Sequence, residues 1–349
     1  MNLINARYAF TSAYLKGEEA RTIMSDHIEG VVQRSRAMPE AIDVIKETDI
    51  GEYLLDVAPN GWSTFDEMDH ALGKYLGDCL DRLDRFKLPD DMVTMLAAYI
   101  RKYDILNMKT ALRGILMETT YPLMPVGELS NQDYLETLTS ASTPEELSDT
   151  FVKINMIDFA AIINDIKEKD SRSTTEAEFN LDNLFFRKML DAVENMKDSV
   201  ILIRALGIII DLINLRSIVR TLLGTKGLSR EMIFDGGNVL TGDTVTELQS
   251  LKIGEIAGRL EDTEYYNVAQ DIAKNFEKEG NIAVVDRIIE KHKIRLLGDL
   301  LSPRALSPCN LLWYLIVKER EIQNVRIMFK TFIDGLPLSE IRDYLVTVS

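Results

Sequence analysis

An all-α fold is what this chain predicts, on three observations. Sustained apolar/polar alternation is absent, and the apolar residues recur at spacings of three and four. Leu, Ile, Met, Glu and Lys dominate those periodic runs, while the nine prolines and most glycines fall between them, as short connections between helices require. One helical pattern is also written three times: acid, two residues, Asn, one residue, cation, two residues, apolar residue, cation. It occurs as Asp104-Ile105-Leu106-Asn107-Met108-Lys109-Thr110-Ala111-Leu112-Arg113, as Asp211-Leu212-Ile213-Asn214-Leu215-Arg216-Ser217-Ile218-Val219-Arg220, and as Glu321-Ile322-Gln323-Asn324-Val325-Arg326-Ile327-Met328-Phe329-Lys330.

The acids of successive copies stand 107 and 110 residues apart, the length of a small domain. Three helical units are therefore expected, at residues 1–120, 121–229 and 230–349. Two further landmarks keep the same period. Pro39-Glu40-Ala41-Ile42, Pro144-Glu145-Glu146-Leu147 and Glu255-Ile256-Ala257 open one helix in each unit, and Asp69, Asp182 and Asp286 fall between that helix and the acid–Asn–cation motif.

The first unit begins with a helix from about Ala6, with Ser25-Asp26 offering a restart, and continues with one helix over residues 39–49 that has Pro at its first turn. The three motif helices start at Leu88-Pro89-Asp90-Asp91, Asp198-Ser199 and Ser307-Pro308. A turn follows each, at Tyr121-Pro122 to Val126-Gly127, Asp235-Gly236-Gly237 and Asp334-Gly335-Leu336-Pro337, and Ser130, Thr241 and Ser339 then occupy the next N-terminus. Residues 169–176 are the most polar loop and the expected mobile linker.

Projected at about 100° per residue, the motif has two faces. Ile105, Met108, Ala111 and Leu112 gather around Asp104, as Leu212, Leu215, Ile218 and Val219 do around Asp211, and Ile322, Val325, Met328 and Phe329 around Glu321. Lys109, Arg113, Arg216, Arg220, Arg326 and Lys330 project to the opposite side. Each of Asp104, Asp211 and Glu321, with Asn107, Asn214 and Asn324, thus stands at or beside a buried stripe. A buried carboxylate needs fixed partners such as a Tyr hydroxyl, an Arg or a helix N-terminus. These groups are expected to fix helix packing, the alternative being that they shape a site. The six cations form either a solvated face or a surface for an acidic partner.

A net charge of −16 and a pI near 4.8 argue against nucleic acid, which demands a basic footprint. Cys79 and Cys309 lie in different units without metal-ligand spacing and are expected to be reduced thiols. The stretch Met1-Asn2-Leu3-Ile4-Asn5-Ala6-Arg7 lacks a signal-peptide pattern, and the apolar run at 200–215 contains Arg204 and Asp211, too short an uncharged stretch to span a bilayer.

Catalytic patterns are sparse. Glu67-Met68-Asp69-His70 has Glu-x-x-His spacing, but a di-iron bundle needs that motif twice with two further carboxylates. Gly224-Thr225-Lys226-Gly227 follows a helix and lacks the order of a phosphate loop. His27 and His292 have no Ser or Cys at motif spacing. Trp313-Tyr314 reads as core or interface. The positions two and three before the acid are Lys102 and Arg101, then Ile209 and Ile208, then Glu319 and Lys318, so the middle unit is apolar where its siblings are charged.

Tyr103-Asp104…Asn107-x-Lys109…Arg113-Gly114, Asp211…Asn214…Arg216…Arg220 and Lys318-Glu319…Glu321…Asn324-x-Arg326 together resemble the C subunit of archaeal and bacterial A/V-type rotary ATPases and ATP synthases, the counterpart of the d subunit of eukaryotic vacuolar ATPases. Leu336-Pro337-Leu338…Ile341-Arg342-Asp343-Tyr344-Leu345 resembles the family's closing helix. The resemblance spans the chain. It implies a pseudo-threefold funnel of helices, peripheral on the cytoplasmic side of the membrane. The funnel would sit on the proteolipid ring and hold the foot of the central shaft, passing torque without doing chemistry and without a cofactor. A helical adaptor outside any rotary machine and an all-α di-metal enzyme are the alternatives.

Overall fold

The computed structural model describes residues 3–166, 171–224, 232–279 and 282–347, and every element among them is helical. Residues 225–227 of the glycine-flanked loop and residues 169 and 170 of the polar linker lie outside the described residues. The chain opens with α1 (Leu3–Glu19), α2 (Ser25–Arg34), α3 (Met38–Ile45), α4 (Asp49–Val57), α5 (Phe65–Arg85) and α6 (Asp90–Met117). Next come α7 (Glu128–Asn131), α8 (Leu135–Ser140), α9 (Pro144–Lys153), α10 (Ile157–Asn164), α11 (Ser171–Val193) and α12 (Ser199–Leu222). The last set is α13 (Gly242–Ser250), α14 (Ile253–Arg259), α15 (Tyr266–Glu279), α16 (Ile282–Leu301) and α17 (Pro308–Ile333), followed by the 3-10 turns Leu338–Glu340 and Arg342–Tyr344. Short helices lead into a long pair three times, and the acid–Asn–cation motif rides on the second helix of each pair.

Local chemistry sets the boundaries. Thr64 accepts the Glu67 N–H at the start of α5, Thr143 the Glu146 N–H at the start of α9, where Pro144 is the first helical residue, and Ser307 the Cys309 N–H ahead of Pro308 in α17. Along α5, Met68, Leu72, Leu76, Leu80 and Leu83 recur at helical spacing on one buried face, each worth about 1.5–3 kcal/mol of burial.

Three boundaries differ from expectation. Residues 39–49 are two helices, because Thr48 turns its hydroxyl to the Gly51 N–H and caps α4. Ser130 lies inside α7, which starts earlier because Gly127, at φ +101°, makes the turn. The polar stretch from Ser171 onward belongs to α11.

Each motif helix packs on the long helix that precedes the next motif: α6 on α11, α12 on α16, and α17 back on α5. Helix α1 also lies along α17, joining the two ends of the chain. Helix α6 serves two cores. Met92, Met95, Leu96 and Tyr99 of its first half join the large cluster shared with α5, α12, α16 and α17, whereas Ile105, Met108 and Leu112 pack with Leu129, Phe151, Ile163 and Leu181. No helix among the described residues is long and apolar enough to cross a membrane.

Candidate functional site

The six acid and amide positions are all buried, none more than 4% exposed, and they make three junctions of one design. The Asn of each motif clamps both backbone groups of one residue in an extended segment. Asn107 accepts the Met124 N–H at 2.7 Å and donates to the Met124 carbonyl at 2.9 Å. Asn214 does the same to Phe234 at 2.9 Å each, and Asn324 to Val346 at 3.1 and 2.8 Å. A primary amide offers one acceptor and donors side by side, which suits it to this double contact. The chain's C-terminal segment therefore occupies the place that the segments after α6 and α12 occupy in the other two copies.

The acid one turn earlier reaches the following segment. Asp104 Oδ1 accepts the Leu129 N–H at 3.0 Å. Asp211 accepts the N–H groups of Asn238, Val239 and Leu240, each at 2.9 Å, and the Tyr265 hydroxyl at 2.8 Å. Glu321 accepts the Ile23 N–H at 2.9 Å, from just before α2, so the third junction returns to the start of the chain. Burial raises all three carboxyls: Asp104 to about 6 against the pull of the Leu129 and Glu128 N–H groups, Asp211 against those of Leu240 and its neighbours, and Glu321 against Lys318. The approach is close enough to exclude side chains. A Cβ on Gly127 would lie 2.4 Å from Asp104 Oδ1, and one on Gly237 2.1 Å from Asp211 Oδ1.

The cations lie on the far side of each motif helix, where most of them pair with acids of the next long helix. Lys109 pairs with Asp182 at 2.7 Å and Arg113 with Glu178 through two hydrogen bonds. Arg220 meets Asp286 at 2.6 Å with Arg216 at 3.9 Å, and Arg326 meets Asp69 at 2.5 Å. Asp69, Asp182 and Asp286 are the between-motif landmark of the sequence, so each copy's cation takes the next copy's acid. Lys330 departs from the pattern and pairs with Asp334 at 2.7 Å on its own chain segment. Spacing in the sequence marked these cations and the three landmark aspartates but carried no indication that they meet, and it did not mark Glu178.

A buried network at the third junction had no counterpart in the sequence pattern. Lys318, 1% exposed, donates to Glu321 at 3.0 Å and to the Tyr75 hydroxyl at 2.9 Å, and Tyr75 in turn reaches Asp49 at 3.1 Å. Burial pushes the Asp49 carboxyl up, but Lys318 and Arg82, the latter at 2.6 Å, outweigh it and leave it below the usual carboxylate range. Lys102 pairs with Glu319, which also accepts from the Tyr103 hydroxyl. The charged residues before the first and third acids thus answer one another, and Ile209 of the middle copy faces them as an apolar wall. Trp313 and Tyr314 are core residues, with Trp313 Nε1 on Glu19 at 3.0 Å. Glu67 and His70 are exposed, and no cluster of three metal-ligating side chains occurs among the described residues.

The three motif helices present matching positions to one cavity of about 910 Å³. Tyr99, Leu206 and Ile316 stand five residues before their acids, and Lys102, Ile209 and Glu319 two before; all six line it. Phe185, Phe186 and Leu297 add apolar wall, and Arg326 with Asp69 and Arg320 with Glu290 supply charges already paired with each other.

These features define an all-helical protein whose three motif helices are each locked to neighbouring segments by the same acid, amide and cation groups around a shared hollow. Residues 12–344 match the family described as ATP synthase (C/AC39) subunit, and the chain belongs to that family. It is 24% identical over 357 residues to the C subunit of the A-type ATP synthase of Methanocaldococcus jannaschii, covering 98% of this chain and 87% of the relative. Against the same A-type ATP synthase component of Pyrococcus abyssi the identity is 21% over 347 residues, covering 96% and 89%. That of Methanosarcina acetivorans is 25% identical over 300 residues, covering 82% and 79%.

Proposed function

We propose that this chain is the central-stalk rotor component of an A/V-type ATP synthase or ATPase. Its three units, 1–120, 121–229 and 230–349, form a pseudo-threefold funnel on the cytoplasmic face of the membrane proteolipid ring. The hollow receives the foot of the central shaft. The cavity that all three motif helices line at equivalent positions is the observation that carries this reading. Two turns of a helix about 10 Å across occupy on the order of 800 Å³, so a cavity of about 910 Å³ accepts the end of one helix.

Torque then passes through the wall of the funnel. Two of its junctions continue along the chain, whereas the third is closed only by non-covalent contacts: Glu321 to Ile23, Arg326 to Asp69, Lys102 to Glu319 and α1 along α17. Burying charge pairs in that seam gives a specific, rigid register in place of a sliding apolar one. ATP turnover and ion movement belong to other subunits in this scheme. Arg113 and Lys330, whose side chains are 55% and 52% exposed despite their ion pairs, are the motif cations still open to an acidic partner surface.

A photo-reactive residue in place of Leu106, which lines the hollow and is 42% exposed, tests the reading in native membranes. Cross-linking to a shaft protein is expected. Adducts formed only with soluble proteins outside the ATP synthase would overturn the proposal in favour of a free-standing adaptor.

A further inference from the structure

The hollow is threefold in its helices but not in its chemistry. Among the described residues, every charged side chain that lines it comes from α5, α6, α16 or α17, as do Asp69, Lys102, Glu290 and Glu319. Helices α11 and α12 contribute only Phe185, Phe186, Met189, Leu206 and Ile209. The sequence sets this division at one position: two residues before the motif acids stand Lys102, Ile209 and Glu319. The first and third pair with each other across the seam, and the middle one is left as apolar wall.

Most of the charges are answered within the wall itself. Lys102 pairs with Glu319, Arg326 with Asp69, and both Arg320 and Lys293 with Glu290, while Arg287 lies over the Tyr344 ring at 5.2 Å from its centre. Two exposed side chains remain. Leu106 and Gln323 line the hollow from the same motif position, two residues after the acid, and Gln323 makes no hydrogen bond among the described residues. One offers apolar contact to an occupant, and the other offers an amide donor and acceptor.

We propose that this two-sided wall is a key. The hollow takes the end of one amphipathic helix of the central shaft, with its apolar face against α11 and α12 and its polar face toward Gln323 and the Lys102–Glu319 seam. The key rests on the shaft-holding reading and adds to it the chemistry of the occupant and its rotation about its own axis. A wall of true threefold symmetry would hold a helix equally well in three azimuths. Here, turning the helix away from the favoured one sets polar side chains against Phe185, Phe186 and Ile209, where they find no hydrogen-bond partner. Because the charges of the wall answer one another, the polar face of the occupant needs hydrogen-bonding groups and not a matching counter-charge. Fixed rotation is what a joint that carries torque without slipping requires.

The test puts an aromatic photo-reactive residue at Phe185 in one variant and at Tyr344 in another, both aromatic positions of the wall. Adducts are mapped by mass spectrometry in the assembled, membrane-bound complex. From Phe185 the cross-links should fall on apolar shaft residues three and four apart, and from Tyr344 on polar residues of the opposite face of the same helix. Each probe should favour its own face at least about tenfold, a factor matching about 1.4 kcal/mol. Gln323→Leu gives the third copy the side chain of the first and should lower the preference of the Tyr344 probe about fivefold, as the loss of one hydrogen bond would. Melting curves establish that the variants are folded. Shaft adducts spread over all faces of the helix, or a preference that Gln323→Leu leaves unchanged, would overturn the key while the hollow still holds the shaft. The absence of any shaft adduct from either probe would overturn the shaft-holding reading and the key with it.

Discussion

Replacing Asp104 by Asn should make the protein relatively more stable as the pH rises. The carboxyl is fully buried and titrates at about 6, against an ordinary value of 3.8, so the folded state holds its proton more tightly than the unfolded chain does. The favourable contribution of the protonated acid is therefore complete below the unfolded value and is lost as the pH climbs through about 6. A difference of about two pKa units corresponds to about 3 kcal/mol in full, of which roughly 2 kcal/mol falls between about pH 4 and pH 7. Asparagine keeps an oxygen for the Leu129 N–H without the charge. Urea unfolding followed by circular dichroism at a series of pH values reads the difference directly. The stability of Asp104→Asn minus that of the native protein should grow by about 2 kcal/mol over that range, or about 3 °C in Tm for a chain this long. A difference that stays flat or shrinks with pH would refute the assignment of Asp104 as a carboxylate held in an unfavourable burial.

At the third junction, Glu321→Ala takes the nearest carboxylate from the buried Lys318 ammonium and leaves it Asp49, at 3.7 Å, as its counter-charge; stability should fall by about 3 kcal/mol, the low end for breaking a buried pair, measured by the same unfolding assay. Arg326→Asp and Asp69→Arg should each cost about 1–3 kcal/mol, and the double exchange should recover most of the loss; additive losses would mean the pair is not a seam contact. Asn324→Ala removes both bonds to Val346 and should speed amide exchange in the C-terminal segment at least about tenfold, while the Asn107 clamp at Met124 is unchanged.

The burial of Asp104, Asp211 and Glu321 was legible because helical periodicity is local: an acid flanked by apolar residues one, four and eight positions on must share their face. The Asn residues came with it for the same reason. What each group touches was not legible. Asn107 and Met124 are 17 positions apart, Lys109 and Asp182 are 73 apart, and Glu321 finds Ile23 across 298 residues. Periodicity marked Asp69, Asp182 and Asp286 as equivalent without saying that they receive the preceding copy's cation. The cations therefore read as a free outer face. The apolar middle copy at Ile208 and Ile209 was visible, but its reason, a charge pair formed between the first and third copies by Lys102 and Glu319, needed the helices brought together. Gly127 announced a turn, yet its close approach to the Asp104 carboxylate is a tertiary fact.

Affinity purification of the tagged chain from gently solubilised membranes distinguishes a rotor component from a free-standing helical protein. The rotor role predicts that the central-shaft proteins and the proteolipid come with the chain in fixed proportion. Recovery of the chain alone, or with soluble proteins and no proteolipid, would contradict it.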